Sequence, residues 1–199
     1  MKQFAKLYLS TIDDNLKVDT LSNSIRNKEI EGCSNEKVKK EKYAVFKLFE
    51  YALKDTFNED FSSKAYKDTT GKWKMDGVEI SFSHSDGVVA VLISDTVCGV
   101  DVERVDRFIN KENLSTKLFG TVLEVEKLCE LWTKKESVFK SLNEKRFVPE
   151  KINIDDKVIK TIYQDFFGKK YCISACGDSV NNLIVKIVTQ ITPFFNILF

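Results

Sequence analysis

Between Val78 and Glu103 three short apolar runs, "VEISFS", "VVAVLIS" and "VCGVDVE", follow one another with only "HSDG" and "SDT" between them. Runs of this length, rich in valine and isoleucine and bounded by turn residues, are strands. Ahead of them Val45, Leu48, Phe49, Ala52 and Leu53 recur at the spacing of a helix with one buried face. Behind them a helix is expected around Lys111 to Phe119. Thr121 and Glu124 then form a T-x-x-E capping box that opens a second long helix, with Val122, Val125, Leu128, Trp132, Phe139 and Leu142 on its apolar side.

The rest of the chain extends this pattern. "QFAKLYLST" reads as a first strand, "KDTTGKWKMDG" as a loop, and "KINID", "KVIKTIYQ", "KYCISACG" and "NLIVKIVTQI" as later strands. "SFSHSDGVVAVLISD" and "QDFFGKKYCISACGD" are loosely similar. The order predicts an α+β protein of two similar halves, residues 1–104 and 105–199. Each half is a small, mostly antiparallel sheet packed with a long helix.

Composition removes several function classes. The 199 residues carry 31 basic and 30 acidic side chains, a formal charge of +1, which argues against nucleic-acid binding by bulk charge. The five cysteines, Cys33, Cys98, Cys129, Cys172 and Cys176, form no C-x-x-C pair, and His84 is the only histidine. Neither a zinc site nor a disulfide framework is expected. The N-terminal "MKQFAKLYLSTIDDNL" does not read as a signal peptide, and "ITPFFNILF" reads as a closing strand or packing tail. A cytoplasmic monomer with no membrane contact is expected.

Within "GVDVE" a strand's period of two puts Asp101 and Glu103 on one face and Val100 and Val102 on the other. The carboxylates lie about 7 Å apart along the strand and repel unless a positive group sits between them. A divalent cation meets that need, and oxygen ligands suit magnesium or manganese. A solvated strand face is the plainer explanation. In "LWTKKESVFKSL" the spacing groups Trp132, Lys135 or Glu136, and Lys140 on one side of a helix. Glu136 could add a third carboxylate, with Lys135 and Lys140 placed for phosphate; an exposed Glu136–Lys140 pair is the simpler alternative. His84, between Ser83 and Ser85, makes a polar strand end able to hold phosphate. No nucleophile elbow or P-loop is present.

Taken in order, Ser83-His84-Ser85, then Gly99 to Glu103, then Trp132 to Lys140 resemble the phosphopantetheinyl transferases of the surfactin-synthetase type. The pattern there is S-H-S, G-x-D-x-E and W-x-x-K-E-x-x-x-K, and "TGKWKM" lies where a G-K-P loop would stand. The resemblance implies transfer of the phosphopantetheine arm of coenzyme A to a serine of an apo acyl, peptidyl or aryl carrier protein, at a site between the two halves. It implies Asp101, Glu103 and Glu136 as magnesium ligands and Glu136 as the base, with Asp101 and Lys140 sharing in catalysis. Lys72, Ser83, His84, Asp101, Lys135 and Lys140 would contact the coenzyme A side of the site.

The sequence departs from that pattern at three places. Trp73 replaces the loop proline. No arginine occurs in "EKYAVFKLFEYALK", leaving Lys39, Lys40, Lys42 or Lys47 to replace it. Glu124 and Glu126 compete for the place of a second acid. The lysines that open the long helix also suit an acidic partner. The rival readings are a magnesium-dependent phosphohydrolase or nuclease using the same acids, and a silent partner-binding module of the same fold.

Overall fold

The computed structural model describes residues 3–189, so the "ITPFFNILF" segment lies outside the described residues. The chain opens with β1 (Ala5–Thr11), α1 (Ser24–Glu31) and α2 (Glu36–Phe57). A small hairpin of β2 (Tyr66–Lys67) and β3 (Trp73–Lys74) precedes β4 (Glu79–Ser85), β5 (Val88–Ser94) and β6 (Gly99–Arg104). After a 3-10 turn at Val105–Phe108 come α3 (Glu112–Phe119), α4 (Val125–Ser141), β7 (Ile159–Phe166), β8 (Lys169–Cys176) and β9 (Leu183–Val188). The protein is α+β. No helix among the described residues is long and apolar enough to cross a membrane.

Two sheets form the centre. One has the order β4-β5-β1-β9, antiparallel except for the parallel β1–β9 pair; the other is an antiparallel β6-β8-β7 sheet. β6, which precedes the expected boundary at residue 104, thus pairs in the second sheet, and β9 returns to the first. The alternation of each strand sorts its side chains between layers. Tyr8, Val89, Val91 and Ile93 face α2, against Val45, Phe46, Leu48, Phe49 and Leu53. Leu7, Leu9, Ala90 and Leu92 face the second sheet, against Val100, Val102, Tyr171 and Ile173. Cys172 and Cys176 face α4, packing with Leu128, Cys129 and Val138. The result is four layers: helix, sheet, sheet, helix.

Local chemistry fixes the elements. Asn35 caps α2 by accepting from the Val38 N–H, and Asn58 ends it in the left-handed conformation. Asp86 and Gly87, both at positive φ, make the two-residue β4–β5 turn; Phe167 and Gly168 do the same between β7 and β8. β6 presents to β4 a row of N–H groups that its partner β8 does not use. Ser81, Ser83 and Ser85 accept from the N–H groups of Val100, Val102 and Arg104 at 3.0, 3.2 and 3.4 Å. Three hydroxyls at every second position thus replace the carbonyls of a paired strand and join the two sheets.

Two expectations are corrected. "KINID" is not a strand: Pro149–Lys151 is a 3-10 turn, and Ile152 drops from the following loop into the core beside α4. The Thr121–Glu124 capping box does not form, and α4 begins at Val125. Ser115 on α3 takes its place, accepting the Leu123 N–H and donating to the Thr121 carbonyl, both at 2.8 Å. Val122 is therefore outside the helix and 60% exposed.

The face α4 turns to the second sheet includes small side chains one turn apart. Cys129, Thr133 and Ser137 are wholly buried. Gly99 completes the approach: a Cβ there would lie 1.9 Å from the Ser137 carbonyl oxygen. Because the obstacle is backbone, Gly99→Ala must push α4 away from β6. A loss of stability of about 2–3 kcal/mol is expected, measured by urea unfolding; an unchanged midpoint would contradict this packing.

Candidate active site

Where α4 meets β6, three carboxylates converge. Asp101 and Glu103 project from β6 toward the helix, and Glu136 reaches them from above. Oxygens of all three lie within 4.8 Å of one another. Asp101 is almost wholly buried. Its Oδ1 accepts from Lys140 Nζ and from the Ser83 hydroxyl, each at 2.8 Å, and Lys140 also lies 3.0 Å from Ser83 Oγ. Its Oδ2 is buried with no hydrogen-bond partner among the described residues. Glu103 Oε2 accepts from Ser85 Oγ and from Arg107, both at 2.8 Å. The serines that bridge β4 to β6 therefore also orient the two strand carboxylates.

In so small and dry a volume, burial and like charge raise the proton affinity of Glu136 and Glu103. Burial, and then the like charge of Asp101, lift Glu136 to about 7, against the opposing pull of Lys140. Burial and Asp101 also push Glu103 up. Lys140 is raised too, but here the charged form is favoured: burial lowers it, and the attraction of Asp101 and Glu136 outweighs burial. Lys140 and Arg107 leave the group short of positive charge. An orphaned buried oxygen and a carboxyl that still binds a proton near neutrality fit the donor set of a hard divalent cation.

The remaining sequence candidates are dispersed. Lys72 donates to the Phe139 and Leu142 carbonyls, capping the C-terminus of α4, and lies over the Phe139 ring. Lys135 donates to the Ile152 carbonyl at 2.6 Å. It is one residue from Glu136, and that step of about 100° around the helix carries it to a different side. His84 alternates with Ser83 and Ser85 and so faces α2, where Nδ1 lies 3.2 Å from Oε2 of Glu41. Glu126 pairs with Lys170, and Glu124 stands at the start of α4. Lys39 pairs with Glu36, Lys47 with Glu50, and Lys40 and Lys42 reach the Asp14 and Glu29 carbonyls.

Sequence reasoning missed Ser81, Arg107 and Glu41, and it read Ser85 as a phosphate-holding hydroxyl rather than as a partner of Glu103. The alternating S-x-S-x-S carried the signal for the serines, and the four-residue step from Glu103 carried one for Arg107. Glu41 carried none. Beside Lys140 a cleft of about 140 Å³ opens between β3, β4 and the end of α4. Trp73, Ile80 and Phe82 give it an apolar wall, and Lys72, Lys74 and Lys140 line it together with Glu79, which pairs with Lys74 at 3.2 Å.

No family model matches the chain, and no curated protein matches it.

The lifted Glu136 has a consequence for stability. A folded-state value of about 7 against an ordinary 4.5 means that the folded protein keeps a proton the unfolded chain has released. The stabilisation from this group is complete below pH 4.5 and is lost as pH rises through about 7. In metal-free buffer Glu136→Gln is therefore expected to be the more stable protein by on the order of 2 kcal/mol at about pH 8, with little difference in acid. Urea unfolding at both pH values checks this; a difference independent of pH would contradict it.

Proposed function

We propose that the protein is a phosphopantetheinyl transferase, moving the phosphopantetheine arm of coenzyme A to a serine hydroxyl of an apo acyl, peptidyl or aryl carrier protein in the cytoplasm. The observation that carries this reading is the meeting of Asp101, Glu103 and Glu136 around Lys140, from motifs whose order and spacing resemble that family. The repeated connectivity supports it as well. β1, α2, β4 and β5 build a β1-β5-β4 sheet, and β6, α4, β7 and β8 build a β6-β8-β7 sheet in the same order. We read these as two related halves with the site at their junction.

Asp101, Glu103 and Glu136 would hold a magnesium ion, with manganese as a substitute, and the ion would neutralise charge on the diphosphate. The chain's own groups divide the remaining work. Lys140, fixed against Asp101, stabilises the charge that gathers on the transferred phosphoryl and its leaving group. Glu136, whose carboxylate stands beside Asp101 and Glu103 where the diphosphate would lie, is the base that takes the serine proton. The serine oxygen forms a bond to phosphorus, the diphosphate P–O bond breaks, and adenosine 3′,5′-bisphosphate leaves with the bonding pair. The cleft beside Lys140 sets an apolar wall of Trp73, Ile80 and Phe82 next to that lysine, a combination that suits the arm and phosphates of coenzyme A. Lys72 and Lys135 are engaged elsewhere and Ser83 gives its hydroxyl hydrogen to Asp101, so the phosphate grip falls to Lys140 and His84.

Incubation with magnesium, coenzyme A and a panel of apo carrier proteins tests the proposal. Mass spectrometry is expected to show a gain of roughly 340 Da on a carrier serine, abolished by chelator and by Glu136→Gln. Release of free phosphopantetheine with no carrier modified would instead favour a phosphohydrolase.

A further inference from the structure

Glu41 is a charged residue in an unexpected place. It lies near the start of α2, among lysines, yet its side chain is only 8% exposed. A carboxylate this dry requires a close partner. Lys37, one turn earlier, comes no nearer than 4.0 Å to Oε1 and is itself bound to Asp86 at 2.9 Å. The nearer group is Nδ1 of His84, at 3.2 Å from Oε2. The imidazole is 41% exposed, and its Nε2 has no partner among the described residues. The turn just beyond it gathers cations: Lys37, Arg104 and Arg107 all approach Asp86.

We propose that Glu41 is a positioning residue for anion binding. It accepts Nδ1–H from His84, which fixes the ring with Nε2 outward, so that Nε2–H can donate to a phosphate oxygen of coenzyme A. With a hydrogen on each nitrogen, the bound ring donates to Glu41 on one side and to the phosphate on the other. The inference rests on the transferase reading and deepens it. It assigns part of the cofactor grip to an acidic side chain on α2, the helix on which the sequence offers lysines and no arginine.

The chain's single histidine makes the test direct, because histidine labelled with nitrogen-15 gives one pair of ring signals. In the wild-type protein the neutral ring is expected to carry its proton on Nδ1, and coenzyme A is expected to protonate Nε2 as well. Glu41→Ala is expected to lose the Nδ1–H preference and to raise KM for coenzyme A about tenfold with little change in kcat. Glu41→Gln, which keeps an acceptor, should recover most of that affinity. If the wild-type enzyme turns over but Glu41→Ala keeps both the tautomer and KM, the positioning role is overturned while the transferase reading stands. If no carrier is modified, the transferase reading fails, and the ring signals with and without coenzyme A still decide the role of Glu41. Should Glu41→Ala not fold, a wild-type ring protonated on Nε2 alone overturns the proposal.

Discussion

The approach of α4 to β6 at Gly99 governs everything at the site. A side chain at that position would run into the Ser137 backbone, and any larger residue at Ser137 or Thr133 would hold the helix further from the sheet. Only at this separation does Glu136 reach the oxygens of Asp101 and Glu103. The interface thus gives up large apolar side chains in favour of distance. The apolar packing of α4 moves to its flanks, where Trp132 meets Phe108 and Phe147, and Phe139 meets Phe147.

The second sheet is held to the first by an equally specific device. The hydroxyls of Ser81, Ser83 and Ser85 satisfy N–H groups of β6 that no strand among the described residues pairs. Two of them also donate to Asp101 and Glu103. The contact that assembles the fold is therefore the contact that aims the acids. The cost of burying those acids is met in part by Lys140 and Arg107, and the residue of it shows as the raised proton affinity of Glu136 and Glu103.

Much of this was legible in the sequence, and what was not has identifiable causes. The shared face of Asp101 and Glu103 follows from strand period alone, and Lys140 beside Glu136 from the four-residue helical step. The face of α2 was readable because its buried residues are large and apolar. The sheet-facing side of α4 was not, because Thr133 and Ser137 are small and polar and carry no hydrophobic signal. Lys135 was grouped with Glu136 because a spacing argument does not fix rotation to better than one residue. Lys72 was placed by a loop resemblance, whereas the helix C-terminus that it caps becomes its neighbour only in the folded chain. The capping box at Thr121 was lost to Ser115, a competitor six residues away that local pattern does not reveal.

On the proposed reading, Asp101, Glu103 and Glu136 would form one binding site for a hard divalent cation. Titration of the purified protein with manganese, followed by the paramagnetic resonance of the free ion, measures this directly. One saturable site per chain is predicted, displaced by magnesium and lost in both Asp101→Asn and Glu136→Gln. Manganese binding that is absent, or that survives both substitutions in folded protein, would contradict the account.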